Sequence, residues 1–199
     1  MNMHKKILVL VALFALCSCK DVKDKSPCDD IKQLESLAES DAKAQNELGV
    51  CYVKGHGVEK DDGKAVSYYQ KAADQGYAAA QSNLGLMYNN GAGVAQNYTK
   101  ALEYYQKAAD QGYAAAQNAL GFTYQNSQGV IQDYIKAAEY YQKASDQGHT
   151  VAQFNLGAMY HNGLGVEQNY TKSIEYYQKA ANQGFVVAQF NLGMMHDKV

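Results

Sequence analysis

Three groups of residues in this sequence have types and spacings that could do chemistry. Ser40-Asp41-Ala42-Lys43 has the S-x-x-K spacing that sets a lysine amine near a serine nucleophile for acyl transfer. Gly91-Ala92-Gly93 and Gly163-Leu164-Gly165 have the G-x-G spacing that opens phosphate-cradling loops. The cysteines and histidines are possible metal ligands. Each group lacks what its chemistry needs. No K-T-G or S-D-N accompanies Ser40, which falls in a predicted turn. The G-x-G pairs follow helical rather than strand patterns and lack a third glycine, so they read as turns needing positive φ. His56, His149, His161 and His196 occupy four different repeat positions and form no H-x-x-x-H. No catalytic residue, no metal site and no cofactor is assigned.

The start of the chain carries a different chemistry. "MNMHKK" is followed by "ILVLVALFALC", an apolar run too short to span a bilayer and suited to the h-region of a secretory signal. Leu16-Cys17-Ser18-Cys19 resembles the bacterial lipobox. That resemblance implies lipidation of Cys19, with residues 1–18 removed as a signal peptide. Cys17 fits less well, because Leu16 is too bulky for the cleavage-site position. The alternative is an ordinary cleaved signal with stray cysteines. Residues 19–27 read as a short polar tether between a membrane anchor and the folded part. Lys20 after the anchor is not the aspartate associated with inner-membrane retention. The expected location is therefore the bacterial cell envelope, outer membrane favoured, facing the periplasm or the surface.

Loss of residues 1–18 moves the formal net charge from −2 to −4. A weakly acidic chain without a lysine or arginine cluster argues against a nucleic-acid partner.

The elements that position every candidate come from one repeated unit. A-Q-x-x-L-G begins at Ala44, Ala80, Ala116, Ala152 and Ala188, always 36 residues apart. Tyrosine pairs begin at Tyr68, Tyr104, Tyr140 and Tyr176 in the same register. Gln81, Leu84, Gly85 and Tyr88 lie at i, i+3, i+4 and i+7, one face of a helix A over about 78–89. Ala101, Tyr104, Tyr105 and Ala108 give a helix B over about 98–110. Asn97 is placed as its N-cap, with Asp61, Asp133 and Asn169 at the same position. The "NYT" triplets at Asn97 and Asn169 are thus read as caps, although they match a glycosylation sequon. Gly112 stops helix B. Such hairpins bury their faces only when stacked, which gives an all-α solenoid.

The recurring A-x-x-Y-Y-x-K-A-A-x-Q-G-x-x-x-A-Q-x-x-L-G-x-x-Y-x-x-G-x-G-V resembles the Sel-one-like repeat (SLR) family, relatives of the tetratricopeptide repeats. The resemblance covers about residues 42–197. It implies a right-handed α-solenoid and a protein-interaction scaffold or adaptor, with roles in envelope processes or host contact. Residues 28–41 are expected to form an N-terminal capping helix. Residues 42–199 hold four full repeats and a final helix A. Ser127 stands where the other turns have their first glycine, so that loop is expected to differ. Some SLR proteins are described as β-lactam hydrolases, which makes Ser40 and Lys43 the alternative reading. A structural part of an envelope complex is a third.

Cys28 and Cys51 remain once Cys19 is set aside. They lie twelve residues before and eleven after the turn near Ser40, hence level across the first hairpin. In an oxidising compartment a disulfide is expected there; two buried thiols are the alternative.

Partner recognition is sought where the copies differ. On helix A one stripe holds Ser82, Asn118, Phe154 and Phe190, then Leu86, Phe122, Ala158 and Met194, then Asn89, Gln125, His161 and Asp197. By resemblance helix A lines the concave side. The functional reading is a protein or peptide groove centred on Phe122, Phe154, His161 and Phe190. The competing reading makes the same aromatics inter-repeat core. Gln70, Lys71 and Asp74 on helix B read as a solvated convex face.

Overall fold

The structure, a computed structural model, describes residues 26–196. Cys17, Cys19, the signal sequence and Asp197 lie outside those residues. The described residues form ten α-helices and no strand. A short capping helix α1 (Ile31–Leu37) is followed by α2 (Ala42–Lys54), α3 (Asp62–Asp74), α4 (Ala78–Asn90), α5 (Tyr98–Asp110) and α6 (Ala114–Gln125). Then come α7 (Tyr134–Asp146), α8 (Thr150–Asn162), α9 (Tyr170–Asn182) and α10 (Val186–His196). Each A helix packs against its own B helix, and each B helix against the next A helix. This is a solenoid of 36-residue helical hairpins.

Local chemistry sets the boundaries. Asp61, Asn97, Asp133 and Asn169 each accept the backbone N–H three residues on, at 2.9 Å. That bond satisfies one of the four orphan donors at the start of each B helix. Tyr113 N–H bonds Ala108 carbonyl at 3.1 Å while Gly112 takes φ +82, closing α5 in a left-handed turn. The third turn departs as expected. Helix α6 stops at Gln125, one residue early by the register, and Ser127 adopts φ 57. It is the one non-glycine residue at positive φ among those described.

The capping helix is shorter than the expected 28–41. Pro27–Asp29 form a separate 3-10 turn, held by reciprocal bonds between Ser26 and Asp29. Asp30, at φ −128, restarts the chain as the N-cap of α1 by accepting Gln33 N–H. A proline just inside the first turn and two acids competing to cap divide one helix into two pieces. Within this arrangement Cys28 and Cys51 are bonded, both buried, with Cα atoms 5.7 Å apart.

The core is built from alanine, leucine and tyrosine. Leu48, Leu84, Leu120 and Leu156 are fully enclosed, as are alanines of every repeat. The helix-A glycine lets the next tyrosine in. A Cβ added to Gly85 would lie 2.7 Å from the Tyr105 ring, and one at Gly121 would lie 2.6 Å from Tyr141. Gly49 and Tyr69, and Gly157 and Tyr177, make the same pair.

Candidate interaction surface

The two tyrosines of each pair have different tasks. The second one (Tyr69, Tyr105, Tyr141 or Tyr177) is buried on its glycine. Burial pushes the hydroxyls of Tyr69, Tyr105 and Tyr141 above the ordinary phenol range, so they stay neutral. The first one stacks on the tyrosine of its own helix A. Tyr52–Tyr68, Tyr88–Tyr104, Tyr124–Tyr140 and Tyr160–Tyr176 have centroids 5.6 to 5.8 Å apart and rings nearly parallel. A lysine covers each outer face. In the second repeat Lys100 lies 5.1 Å over Tyr88 and Lys107 5.3 Å over Tyr104. The other repeats carry the same Lys–Tyr–Tyr–Lys rung. Exposed cation–π contacts of this kind contribute about 0.5–1 kcal/mol each.

The rungs are tied to one another. Tyr104, Tyr140 and Tyr176 donate their hydroxyls to Gln70, Gln106 and Gln142 of the preceding repeat, at 3.1, 3.0 and 2.8 Å. Those glutamines in turn donate to Asp74, Asp110 and Asp146. The outward polar face of helix B is therefore more than a solvated surface. Gln70 and Lys71 orient the aromatic rungs that join the layers.

The variable stripe on helix A does not form one open groove. Phe154 touches Tyr177 of its own B helix and Phe185 at the start of the next A helix, with centroids 5.4 and 5.2 Å away. It packs against the core cluster of α9 and α10. Phe122 is half-buried against the cluster of α7 and α8. Gln125 accepts the Tyr141 hydroxyl at 2.8 Å. His161, half-buried, meets the edge of Tyr170 at 5.3 Å. Only Leu86, Phe190 and Met194 of the stripe's large residues are well exposed, Phe190 at 64%. The structure thus separates Phe190 from Phe154 and leaves Phe122 and His161 partly accessible.

The other candidates fall in plain surroundings. Ser40 lies in the exposed turn between α1 and α2, and Lys43 points to solvent beside Glu47 at 3.8 Å. No cavity joins Ser40 and Lys43 among those found in the described residues. A shallow open depression beside the third rung is lined by Leu102, Glu103, Gln106, Lys107 and Tyr124. Among the described residues no three His, Cys, Asp or Glu side chains converge as metal ligands. No helix there is long and apolar enough to cross a membrane.

The capping role of one residue escaped the reading of the sequence. His149 is the N-cap of α8, its Nδ1 accepting Ala152 N–H at 3.2 Å. Burial lowers its pKa below the ordinary histidine value. The signal was present. His149 stands where other copies have Tyr77, Tyr113 and Phe185.

Comparison with known proteins bears on this architecture. The Sel1 repeat matches residues 42–77, 78–113, 114–149, 150–185 and 186–198. A protective antigen of uropathogenic Escherichia coli with an SLR fold is similar at 36% identity, with a TM-score of 0.76. The match covers 84% of this chain but only 36% of the antigen, so the chain spans about a third of that protein's length. A Sel1 repeat protein of Oxalobacter formigenes is 31% identical over 88% of this chain and 75% of its own, with a TM-score of 0.74. An immunity protein of Pseudomonas aeruginosa is 29% identical over 85% of this chain and 63% of its own, with a TM-score of 0.61. Curated protein sequences give no match. Sel1 repeat proteins are in general protein-interaction scaffolds. With its 36-residue hairpins matched from Ala42 almost to the end, the chain belongs to the Sel1 repeat family.

Proposed function

We propose that this chain is a lipid-anchored interaction scaffold of the bacterial envelope, holding a protein or peptide ligand along its A helices. The carrying observation is the contrast within the repeat. The Lys–Tyr–Tyr–Lys rungs recur unchanged, while accessible helix-A positions change identity from Leu86 to Phe122 to the neighbourhood of His161. A uniform frame with non-uniform exposed side chains is the arrangement expected of a recognition surface. The names of the similar structures, a protective antigen and an immunity protein, support a non-catalytic role, and the first supports contact with a host. Anchoring through Cys19 rests on the lipobox resemblance.

Photo-reactive residues at positions 86 and 122 of the full chain, activated in living cells, test the ligand. The expected result is one protein joined at both positions, whose binding to the purified chain is lost with Leu86→Asp. Cross-linking that is random, or binding indifferent to that substitution, would overturn the groove. Anchoring is tested separately. Cys19→Ser is expected to move the chain from the membrane to the soluble fraction and to remove a lipid-sized mass.

A further inference from the structure

The two helices of each repeat divide the charge between them. The B helices α3, α5, α7 and α9 each hold three or four acidic or basic residues. The A helices α4, α6 and α8 hold no Asp, Glu, Lys or Arg at all. The position itself does not forbid charge. Helix α2 has the same place in its repeat and carries Lys43, Glu47 and Lys54 along one side, with Lys43 and Glu47 3.8 Å apart. In the next three copies the Lys43 position becomes alanine or valine, the Glu47 position asparagine or alanine, and the Lys54 position asparagine. Nor is this side buried. Leu86 is 47% exposed, Asn126 and Asn162 are exposed, and Phe122 is half-buried. A solvent-facing helix side ordinarily carries charge, and here three successive layers do without it.

The polar groups left on this side are amides whose nitrogens are already in use. Asn83 donates to Asn46 at 2.8 Å, Asn126 to the Phe122 carbonyl at 2.9 Å and Asn162 to the Ala158 carbonyl at 2.7 Å. Each keeps its Oδ1 as a neutral acceptor. We infer that the ligand of this face is an uncharged, extended polypeptide segment laid across α4, α6 and α8. Its apolar side chains rest on Leu86 and Phe122, and its backbone N–H groups meet the asparagine Oδ1 atoms. The inference rests on the scaffold reading above and names the chemistry of its ligand. An extended backbone is required because a helix spends its own N–H groups internally. Three helices packed about 8–10 Å apart span about 20 Å, which about six extended residues cover. An ion in that stretch would shed water onto three layers without a countercharge. An uncharged segment gains from apolar burial, and its N–H groups exchange water for the amide acceptors.

The test pans a phage-displayed library of random linear peptides on the full chain, purified in detergent. The enriched peptides are expected to share a run of about six residues free of Asp, Glu, Lys and Arg. Their affinity is expected not to fall from low to high salt. Leu86→Glu and Leu86→Lys then read the charge of the ligand. An uncharged segment is indifferent to the sign, so both are expected to weaken binding about tenfold or more, with the helical circular dichroism retained. Enrichment of charged residues, loss of binding at high salt, or opposite effects of the two substitutions would overturn the uncharged ligand and leave the scaffold reading standing. Failure to enrich any peptide, or binding that ignores both substitutions, would overturn both together.

Discussion

The side chain of Gln111 donates to that of Gln81 at 2.8 Å, from the end of one B helix to the start of its own A helix. Gln81 is buried and itself donates to the Ala73 carbonyl at the end of the preceding B helix, 3.4 Å away. The relay recurs as Gln75 to Gln45, Gln147 to Gln117 and Gln183 to Gln153, at 2.7 to 2.8 Å. Replacing Gln81 by Leu removes two hydrogen bonds at once, the one from Gln111 and the one to the Ala73 carbonyl, which keeps Gly76 N–H at 2.9 Å. Chemical denaturation is expected to show a loss of about 1–3 kcal/mol, against about 1 kcal/mol for the exposed donor in Gln111→Ala. Equal effects would mean that the relay is ornamental.

Gly85→Ala tests the aromatic slot. Its new methyl would sit 2.7 Å from the Tyr105 ring and 3.2 Å from the Ala101 carbonyl, in a packed interior. Overpacking of this kind costs about 1–3 kcal/mol, more than the gain in helix propensity returns. Combining it with Tyr105→Leu is expected to give a smaller loss than the two single losses added. Additive losses would disprove direct contact.

Ser127→Gly is expected to stabilise the third turn. Serine at φ 57 carries a left-handed penalty of about 1–2 kcal/mol that glycine avoids, partly offset by the greater freedom of unfolded glycine. A rise in melting temperature would agree; a fall would show that the serine hydroxyl has a task of its own.

His149 gives stability a dependence on pH. Desolvation lowers its folded pKa, so the unfolded chain binds the proton more readily. Its contribution is complete above the unfolded value, about 6.5, and declines as pH falls from there toward the lowered folded value. Protonation also removes the lone pair that Nδ1 offers to Ala152 N–H. His149→Tyr, the residue of two other copies, is expected to flatten the stability profile just below pH 6.5 relative to the parent. Identical profiles would remove His149 as the cause.

The Cys28–Cys51 bridge closes a loop with a sequence separation of 23. Loop-closure entropy then assigns it about 3 kcal/mol. Cys51→Ala, or reduction, is expected to lower stability by an amount of that order, with α1 detaching first because apolar contacts and the Gln45 bond to the Ala38 carbonyl are then what hold it. Mass spectrometry after alkylation without reductant is expected to leave both sulfurs unmodified. Labelling of both would refute the bond.

Much of this fold is written in its period. The 36-residue register, both helices of the hairpin, the Asp and Asn caps and the glycine stops follow from residues close together in the chain. What stayed hidden depends on residues a repeat apart. The i, i+4 spacing puts Phe154 on a stripe, but only Tyr177 and Phe185 closing over it turn the stripe into core. The glutamines were visible as repeated letters, yet their partners lie 30 residues away. The division of labour within each tyrosine pair has the same origin: adjacent letters face different neighbours. At the N-terminus a helical alignment missed the break at Asp30, because capping bonds there outcompete the helix.

The glutamine relay also bears on how such a chain can change length. Every repeat offers its neighbours the same donor and the same acceptor. Removal of residues 78–113 would bring Gln117 to the position Gln81 now holds beneath the Ala73 carbonyl, with Gln147 already bonded behind it. The glutamine relay would be rejoined by the splice, although Asn46, now bonded to Asn83, would meet Ala119 instead. Residues 68–81 and 104–117 are identical, so the two flanks of that segment are interchangeable at the join. The relay is thus neutral to duplication or excision of whole copies, which leaves the number of layers free to drift over generations.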